Sequence, residues 1–208
     1  MERLLVVRHG QSEQHVRDVT GGWTDTRLTA VGRRQAEATA ERLAGLLEGQ
    51  EFSFLSSDLA RAVETAQIIG DRLGVKPVLR EGLREFNNGR AAGLTRSEAE
   101  AIGLPVTKPV IDYVPYPDAE SWRTMAERVW SFMDSAEGEL RDTTLAVGHG
   151  NSGQVLVHWW LRHCEECRRR IAYRLDQCSI TELGVSEWGE RVILRLNDTS
   201  HLAGPPRG

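Results

Sequence analysis

Nothing in these 208 residues is long and apolar enough to enter a bilayer. The N-terminal hydrophobic run is only Leu4 to Val7, short of a signal-peptide core and far short of a membrane span, and no later run approaches that length. A cytoplasmic protein is therefore expected, with no membrane partner. A basic excess is also missing. The 26 Lys and Arg stand against 30 Asp and Glu, a formal net charge of −4. Such a balance supplies no global field for nucleic acid, so an anionic ligand needs a local cluster. Cysteine is scarce, with Cys164, Cys167 and Cys178 alone. An odd count without a secretion signal argues for free thiols. Cys164-Glu165-Glu166-Cys167 has CxxC spacing beside His158 and His163, but a zinc site usually needs four ligands from two such knuckles. Two thiols on a charged helix end is the preferred reading, with no metal and no cofactor. Repeats, low-complexity segments and linkers are absent too.

What is present suits one globular domain. The chain is 40% hydrophobic and 27% charged, enough apolar material for a real core. Leu4 to Val7 reads as a buried strand that stops at Arg8-His9-Gly10. A polar loop follows, from Gln11 to Asp25. Thr29 looks like an N-cap for an amphipathic helix over 30–48, carried by Ala36, Ala40, Leu43 and Leu47. Phe52 to Leu55 is a second strand. Ser57 looks like the cap of a second helix, with Arg61 in its first turn and Gly74 as its stop. Lys76 to Leu79 reads as a third strand, leading into a polar loop that carries Glu85.

Four prolines between Pro105 and Pro117 make that segment irregular, a binding loop or a structural excursion. Asp118 or Ser121 caps a helix lined by Trp122, Met125 and Val129, running to about Leu140. Thr143 to Val147 is a strand that repeats the opening pattern, ending at Gly148-His149-Gly150. The helix behind it is expected to continue through Arg162 to Arg168–Arg170, with His158 and Arg162 on a surface face. Two further strands, Ser179 to Val185 and Arg191 to Leu196, form a hairpin. The fold class is α/β: a single-domain three-layer α/β/α sandwich, with a mostly parallel central sheet and an antiparallel edge. The domain spans 1–202, and 203–208 is expected to be a disordered tail.

In such folds ligands sit beyond the carboxyl ends of the strands. Arg8, His9, Arg61 and His149 all stand at strand ends or helix starts, and Glu85 leaves another strand. Two arginines and two histidines converging there suit a phosphate monoester, because guanidinium groups bind phosphate oxygens bidentately.

Arg8-His9-Gly10, the segment Ser56 to Ala66, Leu83-Arg84-Glu85 and Gly148-His149-Gly150 together resemble the signature set of the histidine phosphatase superfamily. Its members include cofactor-dependent phosphoglycerate mutases and related phosphatases. The resemblance runs from residue 3 to about 202. It implies His9 as nucleophile, forming a phosphohistidine, and Arg8, Arg61 and His149 as ligands of the phosphoryl oxygens. It also implies Glu85 as the proton donor to the leaving group, with positive side chains in place of a metal. Ser12, His15, Gly22, Trp23 and Arg84 are candidates for substrate contact, and Tyr113 and Tyr116 are further candidates by loop position. His15 stands where many members carry an asparagine that helps hold phosphate. It either donates in that residue's place or is a plain loop residue. Only 64 positions separate Glu85 from His149, and Lys108 is the one basic residue between Thr107 and Ser121. Both features favour a phosphomonoester hydrolase over a mutase, and the presence of all five of Arg8, His9, Arg61, Glu85 and His149 favours it over a non-catalytic phospho-ligand module. The expected partner is a small phosphorylated substrate. A homodimer is left open.

Overall fold

The computed structural model describes residues 1–202, so the expected tail at 203–208 lies outside the described residues. The strands are β1 (Arg3–Arg8), β2 (Phe52–Ser56), β3 (Val78–Leu79), β4 (Thr143–Gly148), β5 (Ile180–Val185) and β6 (Arg191–Asp198). The helices are α1 (Ala30–Leu46), α2 (Ala60–Leu73), α3 (Arg96–Ala101), α4 (Trp122–Ala136), α5 (Gly150–Trp160) and α6 (Glu165–Arg170).

Successive side chains of a strand point to opposite faces, and β1 is apolar on both. Leu4 and Val6 pack with Met125, Val129, Val155 and Trp159 of α4 and α5. Leu5 and Val7 pack with Ala40, Leu43, Ala62 and Ile69 of α1 and α2. A strand buried on both faces belongs in the middle of a sheet covered by helices. The observed order is β3-β2-β4-β1-β5-β6, with β1 to β4 mutually parallel and β5 and β6 antiparallel at one edge. The expected three-layer architecture is the one found. Among the described residues, no helix is long and apolar enough to cross a membrane.

Local expectations fare unevenly. Thr29 caps α1, its side chain accepting the Gly32 N–H, and Ser121 rather than Asp118 caps α4. Helix α2 begins at Ala60 with Leu59 as its cap. Its free Ala60 N–H is taken at 2.9 Å by Asp25 Oδ1 from the distant loop, which leaves Ser57 for another partner. The third strand shrinks to Val78–Leu79. The long helix expected from 150 to 170 breaks in two. Arg162 takes a left-handed φ of 51° and turns the chain, and its guanidinium is held by Asp134 and Glu137 of α4. No glycine or proline in the sequence marks that turn. One expectation falls with it: His158 is fully buried, not on the surface. Cys164 stands at the N-cap of the charged helix α6, so the thiols do lie on a helix end.

Candidate active site

Strand register sets the two histidines side by side. Arg8 pairs with Gly148 in the parallel β1–β4 ladder, so His9 and His149 are the next residues out of adjacent strands. The His9 N–H donates to the Gly148 carbonyl at 2.9 Å, and the two ring centroids lie 5.0 Å apart. Gly10 follows because a Cβ there would sit 2.5 Å from the Gly32 carbonyl oxygen at the start of α1.

His9 is buried, and both its ring nitrogens are engaged. Nδ1 lies 2.7 Å from the Gly10 carbonyl oxygen, an acceptor only, so Nδ1 carries the proton. Nε2 accepts from Arg61 Nε at 3.1 Å and therefore holds the lone pair. Burial, then the Arg61 and Arg8 charges, hold the His9 pKa well below the ordinary histidine value. The ring is neutral at neutral pH.

Arg61 is fully buried, and its fork is anchored by backbone: Nη1 donates to Thr24 O at 2.8 Å and Nη2 to Gly22 O at 2.6 Å. Burial lowers its pKa to about 10, against the opposing pull of Glu85, so it stays cationic. Gly22 has φ +64°, and a Cβ there would meet Asn88 Oδ1 at 2.3 Å. Arg8 donates Nη1 to Leu175 O at 2.6 Å and points Nη2 at His15 Nε2, 3.1 Å away, while its buried Nε has no partner. His149 is buried too. The Ser57 hydroxyl accepts the Leu59 N–H at 3.4 Å and lies 2.8 Å from His149 Nε2, the direction of that bond following the ring's tautomer. Nδ1 of His149 is buried without a partner. Desolvation, followed by Arg61, holds the His149 pKa well below the ordinary value.

His15 sits in a contradiction. Its Nδ1 accepts the Ser12 N–H at 3.0 Å, yet its Nε2 also faces a donor, Arg8 Nη2. Burial and Arg8 lower its pKa to about 4, and a neutral imidazole has only one lone-pair nitrogen. Two N–H groups therefore oppose each other across the Arg8–His15 contact. An anion placed between them would accept from both.

Glu85 closes the site from the other side. Its Oε1 accepts from the Phe86 N–H at 2.8 Å and the Ser152 N–H at 3.3 Å, and its Oε2 accepts from Asn151 N–H at 3.1 Å. The carboxylate thus occupies the N-terminus of α5, where free amides favour negative charge. The Trp23 indole donates to Glu85 O at 2.7 Å and is flanked by Arg84 at 4.8 Å and Arg128 at 5.9 Å.

The structure brings His9, Arg8, Arg61, His149 and His15 together, with Glu85, Gly22 and Trp23 around them. Ser12 is buried behind His15, its hydroxyl 3.0 Å from Nδ1. Arg84 is tied to Asp58 by two bonds of 2.7 and 2.5 Å and offers no free charge. Tyr113 and Tyr116 line a separate cleft with Thr20 and Gly21. The sequence reading passes over Arg128, which grips Glu120 and donates to Glu85 O at 3.1 Å. It also passes over Asn88, whose Oδ1 accepts the Trp23 N–H. Their only sequence signal is a polar residue in a loop or on a helix. Among the described residues, no group of three or more His, Cys, Asp or Glu is placed to hold a metal ion.

A family model for the histidine phosphatase superfamily (branch 1) matches residues 4–199. A 2,3-bisphosphoglycerate-dependent phosphoglycerate mutase of Brucella anthropi is 33% identical over 165 residues, covering 74% of this chain and 79% of that one. A mycobacterial glucosyl-3-phosphoglycerate phosphatase, solved with VO3, superposes with a TM-score of 0.79 at 26% identity, over 96% of this chain and all of that one. The alpha-ribazole phosphatase of Shigella flexneri shares the fold, with a TM-score of 0.77 at 21% identity over 94% of this chain and 96% of that one. The paired strand-end histidines are thus matched by a family that spans the whole sheet, and the chain belongs to the histidine phosphatase superfamily, branch 1.

Proposed function

We propose that this phosphoryl-transfer enzyme is a metal-independent phosphomonoester hydrolase acting through a phosphohistidine on His9. One observation carries the reading: His9 Nδ1 is committed to the Gly10 carbonyl, which leaves a neutral Nε2 lone pair aimed into a ring of cationic and N–H donors. Nε2 attacks phosphorus. Arg61 Nε, which donates to that nitrogen, transfers its hydrogen bond to a phosphoryl oxygen. Arg8 and, in the tautomer protonated at its unpartnered Nδ1, His149 supply further donors to the equatorial oxygens, where charge spreads in the transition state. Glu85, on the α5 amides, takes up a proton when the phosphate anion binds beside it, gives that proton to the leaving alkoxide and later takes one from the water that attacks phospho-His9.

Mutase chemistry is the second reading, favoured by the Brucella relative. The same alignment covers similar shares of both chains, so the two are of comparable length. The short Glu85–His149 interval therefore does not by itself separate hydrolase from mutase. The mycobacterial phosphatase, matched over 96% of this chain, and the single cation Lys108 in the proline-rich segment support hydrolysis.

The test is phosphate release from a panel of monoesters, 3-phosphoglycerate included, with and without a chelator, alongside acid-quench trapping of labelled enzyme. Chelator-resistant release and a label lost in His9→Gln are expected. Isomerised phosphoglycerate without net phosphate release would establish the mutase. Full activity in His9→Gln would end the phosphohistidine mechanism.

A further inference from the structure

A cavity of about 430 Å³ lies outside the phosphate site, and none of its lining residues belongs to the constellation above. Its lining combines buried Ile111 and half-buried Trp122 with exposed Ile171 and the arginines Arg168, Arg169 and Arg170. In a chain of net charge −4, three consecutive arginines on one rim are a local anomaly. As the last turn of α6 they complement that helix's C-terminal dipole, but six residues of helix do not account for the cavity they border.

Arg168 is the informative member. Its guanidinium lies 4.5 Å from the centroid of the Trp130 ring, so the side chain is held rather than swinging free. Its Nε is buried without a hydrogen-bond partner, and it enters no ion pair among the described residues. A planar, stacked guanidinium with spare donors is built to receive a carboxylate or a phosphate. Arg169 and Arg170 share one acidic neighbour, Glu166, in exposed pairs of the weak surface kind that an incoming anion readily displaces. The cavity walls are tied together. Arg123 of α4 bonds both Asp112, beside Ile111, and Glu165 of α6.

Position connects the cavity to the chemistry. Gln154 lines it, one helical turn along α5 from the amides that hold Glu85. The Gln154 side chain fixes the backbone of Tyr173 at 2.7 Å, and two residues later the Leu175 carbonyl holds Arg8.

We propose that this cavity is a second-anion subsite, and that the preferred substrate is a phosphomonoester whose leaving group has an apolar body ending in a carboxylate or second phosphate. The inference rests on the hydrolase reading and narrows it to a substrate class. The same chemistry could instead serve a separate anion bound as an effector, and the experiment separates the two sources.

Naphthyl phosphate and its carboxynaphthyl analogue are compared as substrates, in wild-type protein, Arg168→Met and the exposed double variant Arg169→Gln/Arg170→Gln. The expected result is a preference for the carboxylated ester of roughly tenfold in kcat/KM, expressed mainly in KM, with the ratio collapsing towards one in both variants. Equal kcat/KM for the two esters in the wild type overturns the proposal. So does free naphthoate that raises activity on naphthyl phosphate without competing with the carboxylated ester, since that marks an effector site. If Arg168→Met fails to fold, the double variant carries the test. If neither ester is hydrolysed, the hydrolase reading falls separately, and calorimetric binding of the two esters to wild-type protein still decides: equal affinities overturn the subsite.

Discussion

Arg61 contributes more than one positive charge. Three of its five N–H groups go to His9 Nε2 and to two loop carbonyls, so a single side chain fixes the nucleophile and the loop that walls it. Lysine cannot reproduce a planar three-way donation. Arg61→Lys is expected to lower kcat by roughly 10²–10³-fold, as for loss of a preorganised charge-stabilising donor. Because it strands buried carbonyls, it should also cost about 1–3 kcal/mol in denaturant unfolding. Glu85→Gln separates proton transfer from positioning, since an amide oxygen can still accept from the α5 amides. Its kcat should fall by about 10²–10⁴-fold on alkyl phosphates. The fall should be much smaller on p-nitrophenyl phosphate, whose leaving group needs no proton. Equal losses on both esters would remove Glu85 from the acid role.

At the scale of elements, the loop from Gln11 to Asp25 is built backwards from the site. Asp25 caps α2, and the Gly22 and Thr24 carbonyls hold Arg61. Gly22→Ala places a methyl against Asn88 at a left-handed φ. It should destabilise the fold by about 1–3 kcal/mol and reduce kcat through Arg61, read by paired melting and activity curves. Gly45→Ala is the contrast. That glycine lies exposed in α1 with nothing within 4 Å of an added Cβ, and the change should stabilise by about 0.5–1 kcal/mol.

The strands and α1 were legible in the sequence because each follows from local pattern: short apolar runs, a cap and a strand end all lie within a few residues. The convergence of His9 with His149 followed from the fold class, in which strand ends share one edge. What was not legible depends on partners far along the chain. Asp25 displaces Ser57 as the cap of α2, and α4 acids stabilise the left-handed Arg162 that breaks the expected long helix. His158 is buried because α5 stops there and Trp122 and Tyr173 close over it.

For the whole molecule, the histidines make acid a threat to the fold. His9 and His149 are fully buried with pKa values held well below 6.5, and burial lowers His15 and His158 to about 4. Above pH 6.5 both folded and unfolded chains leave these rings neutral, so they contribute no pH dependence. Below it the unfolded chain takes up protons that the folded chain refuses, and stability falls with falling pH. His9 and His149 should contribute most to that loss. Melting temperatures from pH 7.5 to 5 should show this slope, with inorganic phosphate raising the curve. A flat profile would contradict the neutral-histidine site.

The Arg8–Gly148 register has a consequence for anyone who would redirect this catalyst. The spacing of the two histidines is set by the sheet's hydrogen-bond ladder, and a slip there would turn every β1 side chain to the opposite face. The segments that border the proposed subsite, the proline-rich stretch and α6, contribute nothing to that ladder. Those surface pieces can be exchanged for others while the reacting pair stays in place, so new substrate ranges are open to grafting without redesign of the chemistry.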